Sequence, residues 1–256
     1  MAVYIAEFFG TMVLVLLGDG VVANVVLKRT KGHGDGWVAV TLGWGMAVAI
    51  AVYSVGWVSG AHINPAVSIA LAVIGEFDWA LVPGYVLAQV FGAFVGAVLV
   101  WLCYLGHWRA TESPAEKLAV FATAPEIRDG PHNFIAEVIG TALLLFGILG
   151  IATTGTAIEE NATGRLQEVY ASGIAPLIVG LLVLSVGLSL GGPTGYAINP
   201  ARDLGPRLAH AVLPVAGKGA SDWSYGWIPV VAPIVGGILG AVLWTILPFD
   251  PNAVID

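Results

Sequence analysis

Two octapeptides, GAHINPAV at 60–67 and GYAINPAR at 195–202, share an opening glycine and the run INPA. Asparagine is a preferred helix N-cap, and proline at the first helical position loses nothing, because its missing N–H would be unpaired there. Each motif therefore predicts a helix start, with Asn64 capping before Pro65 and Ala66, and Asn199 before Pro200 and Ala201. The apolar stretches that hold them, about 62–75 and 197–213, fall short of the roughly 20 residues needed to cross a bilayer core. They suit re-entrant half-helices. Irregular backbone at membrane depth is tolerated only where protein buries it or where it borders water. The lead-ins SGAHI and TGYAI are thus expected beside a hydrated path.

Other segments recur at about half the chain length. AEFFGT at 6–11 is echoed by AEVIGT at 136–141, and AQVFGAFVGA at 88–97 by APIVGGILGA at 232–241. Apolar runs long enough to span lie near 3–27, 37–58, 80–107, 131–153, 172–190 and 227–248. Three spans, with a broken segment between the second and third, occur twice: repeats of about 1–110 and 131–248, joined by a linker of about 111–130. Each repeat holds an odd number of spans, so the second crosses the membrane in the opposite sense. The expected fold is one all-α membrane channel domain over 1–256, with six transmembrane helices and two re-entrant half-helices in an inverted repeat. Ala88, Gly92 and Gly96, echoed by Gly236 and Gly240, predict close backbone approach between spans.

Composition agrees. With 57% hydrophobic and 11% charged residues, and a mean hydropathy of +0.87, the chain has too little polar surface to cover a soluble globule. A net charge of −7 gives no basic footprint for nucleic acid. The single cysteine, Cys103, excludes an intrachain disulfide framework and a thiolate metal cluster. No basic region precedes the first apolar run, which is expected to remain as a helix rather than serve as a signal peptide. Trp37, Trp79, Trp101, Trp108 and Trp227, near span ends, fit interfacial anchoring. Segments 108–130 and 154–171 read as polar linkers without a cofactor motif, and NAT at 161–163 is a weak glycosylation match.

Two NPA motifs in matching places of an inverted repeat resemble the aquaporin and glycerol-facilitator family, over nearly the whole chain. Asp203, Arg207, Pro229 and Val230 resemble its glycerol-conducting branch. The resemblance implies a homotetramer in the cell membrane with one pore per subunit, no cofactor and no metal. Trp44, Gly187, Tyr196 and Arg202 then correspond to the selectivity filter, with Trp44 standing 20 residues before Asn64 and Gly187 standing 12 before Asn199. Trp44 and Tyr196 are expected on one side of the filter and Arg202 on the other, and Gly187 is expected to leave room. Tyr196 departs from the phenylalanine usual in that branch. Backbone carbonyls of Gly60, Ala61 and His62, and of Gly195, Tyr196 and Ala197, are expected to accept the solute's protons, while the Asn64 and Asn199 amides donate. Glu7 and Glu137 are expected to hold the two NPA loops, and Asp203 to pair with Arg207 outside the pore.

Other readings attach to single residues. An intramembrane arginine is a functional candidate by default; the alternative for Arg202 is a salt bridge to the neighbouring Asp203. The two glutamates would suit a proton-coupled carrier, and inverted repeats with broken helices also occur in transporters. His62 reads as packed support for its loop rather than a gate. Asp19, within GDGVVAN, is assigned only to the outer end of the first span. No Ser/His/Asp or His/Glu spacing of an intramembrane enzyme stands near the motifs. Orientation divides the signals: lysine and arginine counts over the connections put the termini outside, whereas the resemblance puts them inside. The expected cargo is glycerol, water and other small uncharged solutes, moving passively.

Overall fold

The computed structural model describes residues 1–156 and 165–248, and the NAT match at 161–163 lies outside them. Among the described residues all regular structure is helical. Six helices are long and apolar enough to cross a membrane: Ala2–Val26, Gly36–Ser59, Val82–Cys103, Gly130–Thr156, Leu166–Leu190 and Trp223–Ile246, here called the first to sixth spans. Large apolar side chains such as Phe9, Leu87, Phe91, Ile139 and Leu239 remain exposed on their outer faces, as expected where lipid is the solvent. Two short helices, Pro65–Val73 and Pro200–Val212, follow the NPA asparagines as half-helices.

The spans pair both within each half and across the halves. The first packs mainly on the third and the fourth on the sixth, while the second packs on the fifth. Missing side chains permit these contacts. A Cβ on Gly92 would strike the Phe8 carbonyl, and one on Gly236 the Val138 carbonyl, so the matching glycines do the same task in both halves. Gly45 and Gly180, each 19 residues before its NPA asparagine, meet face to face. A Cβ on Gly45 would sit 2.7 Å from the Gly180 carbonyl, and one on Gly180 would sit 2.5 Å from the Gly45 carbonyl.

Four expectations need correction. The third span ends at Cys103, and a separate helix, Leu105–Ala110, follows it. Trp108 on that helix is buried rather than interfacial: its indole stacks on Phe121 with centroids 5.5 Å apart and donates to the Trp101 carbonyl at 3.0 Å. The segment read as a polar linker contains a helix, Pro114–Phe121, whose Lys117, Val120 and Phe121 are buried. Its polarity is one-sided, which an averaged composition does not reveal. The fifth span starts earlier than 172, through a π-helical turn at Val169–Ile174, because the polar Gln167 and Glu168 lower the hydropathy of backbone that is nevertheless helical.

Candidate functional site

The two half-helices meet end to end. Asn64 and Asn199 both have extended backbone, φ −157° and −153°, and each Oδ1 accepts from the helix it opens: Ala66 N–H at 2.9 Å, and Ala201 N–H at 3.0 Å with Arg202 N–H at 3.3 Å. Each Nδ2 donates across the junction, Asn64 to the Ile198 carbonyl at 2.9 Å and Asn199 to the Ile63 carbonyl at 2.8 Å. An amide nitrogen has two N–H donors. One is spent on the opposite loop, and both asparagines line the same cavity, where the second can serve a solute.

The loops leading into the half-helices are strained in the same pattern. Gly60, Ala61 and Ile63 have φ of 80°, 47° and 45°, and Gly195, Tyr196 and Ile198 have φ of 81°, 40° and 43°. Left-handed backbone at non-glycine residues costs of order 1–3 kcal/mol each and persists only when the surroundings hold it. Buried carboxylates do so here. Glu7 accepts from His62 N–H at 2.9 Å and Ile63 N–H at 2.7 Å, and also from Ser59 Oγ and Gln89 Nε2. Glu137 accepts from Ala197 N–H and Ile198 N–H, both at 2.9 Å. Their carboxylate oxygens thus act as acceptors of backbone N–H groups in both repeats. His62 donates to or accepts from Ser68 Oγ at 3.0 Å and packs edge-on against Phe77.

A cavity of about 210 Å³ runs beside this junction. Its lining combines apolar side chains, Val48, Val52, Val179 and Val183 among them, with Gly60, Ala61, His62, Asn64, Tyr196, Ala197, Asn199 and Arg202. Gly187 and Gly195 are not among the lining residues. A Cβ on Gly187 would lie 2.6 Å from Tyr196 Cζ, so the space that glycine leaves is filled by the tyrosine ring rather than by lumen. Gly195 lies beside Thr123.

The Arg202 guanidinium does not face Trp44 across an opening. Its Cζ stacks over the Trp44 ring, 4.1 Å from the centroid, which is contact distance for a cation–π pair. Gly18 makes this possible, since any side chain there would collide with the Trp44 ring. Two residues of this cluster escaped the sequence reading. Trp37, taken as an interfacial anchor, donates from Nε1 to the Gly187 carbonyl at 2.9 Å and packs edge-on against Tyr196 at 5.6 Å. Asp19 is not at an exposed span end: it is fully buried, with Oδ1 3.7 Å from Arg202 Nη1. The one signal for it was a carboxylate inside an apolar run.

Asp203 is not the partner of Arg202. Its carboxylate takes Arg207 Nε at 2.6 Å and Nη2 at 3.0 Å, together with the Thr123 N–H and hydroxyl at 2.8 and 2.7 Å. Arg207 spends its other donors on the carbonyls of Thr123, Ser221 and Asp222. This knot ties the second half-helix to the connecting segment and to the loop before the sixth span. In that loop, burial works to raise the Asp222 carboxyl, but hydrogen bonds from Arg128 and Ser224 hold it below the usual carboxylate range. The far end of the half-helix is closed by Lys218 Nζ, which donates to the carbonyls of Ala211 at 2.8 Å and Leu213 at 2.7 Å.

Six spans, two half-helices abutting by their N-termini, and a cavity along their junction define a multi-pass helical membrane protein with a polar stripe through an apolar interior. The family model described as Major intrinsic protein matches residues 1–244. A probable glycerol uptake facilitator protein of Thermotoga maritima is 60% identical over 244 residues, 95% of this chain and 98% of that protein. Glycerol uptake facilitator protein 3 of Lactiplantibacillus plantarum is 52% identical, over 95% of this chain and 96% of that one. The solved aquaglyceroporin of Plasmodium falciparum superposes with a TM-score of 0.76 at 35% identity, covering 96% of both chains. The chain belongs to the major intrinsic protein family, a family of membrane channels, and is an integral protein of the cell membrane.

Proposed function

We propose that this chain is a passive channel, one domain per pore, for glycerol, water and other small uncharged solutes. The observation that carries the reading is the reciprocal pair of asparagine bonds across the junction, beside a cavity lined by both apolar side chains and polar groups. Glycerol offers an apolar carbon edge and a hydroxyl edge, which fit those two kinds of lining. The half-helix N-termini carry about half an elementary charge each, and they meet where the asparagine amides would orient a passing oxygen and interrupt a proton wire. Trp44, Tyr196 and Arg202 act as the filter, with Gly187 admitting the tyrosine ring. The carbonyls of Gly60, Ala61, His62, Tyr196 and Ala197 accept solute protons. Glu7 and Glu137 hold that ladder in place, as their backbone contacts support. Transport by this route needs no catalytic group, and we assign no enzymatic step. We also propose assembly as a homotetramer in the lipid bilayer, which the native mass in detergent tests.

Stopped-flow swelling of proteoliposomes in water, glycerol and a small neutral acid tests the channel. Flux linear in solute concentration and indifferent to a proton gradient is expected. Saturation at low solute, or collapse with the gradient, would favour a coupled carrier. Reporter fusions at the C-terminus decide the orientation, for which the family pattern of termini inside is proposed.

Two variants probe the filter. The Tyr196 hydroxyl is buried and has no hydrogen-bond partner among the described residues. An unsatisfied hydroxyl costs about 1 kcal/mol or more, and removing it makes the ring at the filter smaller and less polar, which favours a carbon edge over water. Tyr196→Phe should therefore raise the glycerol-to-water flux ratio, by about fivefold for 1 kcal/mol. A fall in that ratio would show that the hydroxyl assists glycerol. Gly187→Ala should push the tyrosine ring away from Thr41 and toward the cavity, since the new Cβ would lie 2.6 Å from Tyr196 Cζ and 2.9 Å from Thr41 Cγ2. Glycerol flux should fall more than water flux in the same swelling assay, and equal losses would count against it.

A further inference from the structure

Asp19 takes no part in the pathway as described so far. It lies inside the first span, fully buried, and neither carboxylate oxygen accepts a hydrogen bond among the described residues. A buried carboxylate without donors is costly unless a cation stands close. The cation here is Arg202, whose Nη1 lies 3.7 Å from Asp19 Oδ1 and itself makes no hydrogen bond. Asp203 cannot serve that arginine, because Arg207 and Thr123 occupy its two oxygens. Arg202 is also the one permanently charged side chain lining the cavity among the described residues.

We propose that Asp19 is the counter-charge of Arg202 and a specificity-determining residue of the channel: it keeps small anions out. The reading rests on the channel function above. Its physical basis is the sum of fields along the lumen. A guanidinium and two half-helix N-termini of about half a charge each would together present about two positive charges to a solute, a field that repels cations but attracts anions. The carboxylate behind the guanidinium roughly halves that field. It also holds the guanidinium from the first-span side, while the Trp44 ring supports its face. The filter thereby remains positive enough to exclude cations without becoming an anion site.

The test uses the full chain in proteoliposomes, with nitrate as the probe anion, potassium and valinomycin present to clear the diffusion potential, and an encapsulated fluorophore quenched by nitrate. Asp19→Asn, which keeps the shape and removes the charge, should raise nitrate entry by about tenfold, a coupling of the size found for contacting residues. Adding Arg202→Gln should bring nitrate entry back to the parent level or below it, and Asp19→Glu should leave it at the parent level. Rescue by the second substitution is the readout that a merely structural role would not move. Parental nitrate entry in Asp19→Asn with glycerol flux intact would overturn the proposal. So would a loss of glycerol flux that Asp19→Glu shares or that Arg202→Gln fails to relieve, because Asp19 would then act through its shape. Failure of the parent protein to pass glycerol would strike the channel reading instead, and the nitrate comparison would still decide the pairing.

Discussion

Arg202→Val is expected to admit protons and small cations while glycerol continues to pass. The guanidinium is held against the Trp44 ring and borders the cavity with only 7% of its surface exposed. A unit charge acting at 4 Å is worth about 1 kcal/mol in bulk water and about 4 kcal/mol at an effective dielectric of about 20. Its loss therefore corresponds to a rise in cation leak of roughly fivefold to several hundredfold or more, approaching a thousandfold at the upper figure. Two effects add. The repelling charge disappears, and Asp19 is left as an uncompensated carboxylate that attracts cations. Because an unpaired buried charge also burdens folding, Arg202→Val combined with Asp19→Asn is the better-folded comparison, and it should leak fewer cations than Arg202→Val alone. Proton entry followed with an encapsulated pH dye, alongside glycerol swelling, measures both. Unchanged permeability to protons, cations and glycerol in a folded single variant would contradict the filter assignment.

Asp203→Ala is expected to be the most damaging substitution for stability. Both partners of the Asp203–Arg207 pair are fully buried, and the remaining Arg207 donors reach only carbonyls. Removing one member of a buried ion pair typically costs 3–5 kcal/mol, whereas replacing both by apolar groups can be neutral. Thermal unfolding in detergent should show a large fall in the midpoint for Asp203→Ala and partial recovery when Arg207→Met is added. Equal midpoints for the single variant and the parent would remove Asp203 from the bracing of the half-helix. The loss should spread to the channel, since the same carboxylate anchors Thr123, which lies beside Gly195 at the start of the second NPA loop.

Much of this architecture was legible from local chemistry. Asn-Pro announces a capped helix start wherever it stands, and both caps form with the expected Oδ1 acceptors. Duplicated glycines foretold which spans approach closely, because only a missing Cβ lets a carbonyl come so near. The i, i+4 spacing of Asp203 and Arg207 was enough to anticipate their pairing. Trp37 was read from its position near a span end, and such a reading gives the depth of an indole but not its azimuth. Its N–H turned inward to the Gly187 carbonyl, 150 residues away. Gly187 was read as space for solute; the absence of a side chain says that something approaches, not what.

Periodicity, capping and the duplicated motifs are properties of neighbouring residues, so the order of spans, the two half-helices and the polar stripe were set by the chain read alone. Which charge answers which was decided only when three helices converged. Asp19 and Arg202 are 183 positions apart in the sequence, and they meet where Gly18 leaves room for the Trp44 indole that supports the face of the guanidinium. Electrostatic attraction falls with distance through space and takes no account of distance along the chain.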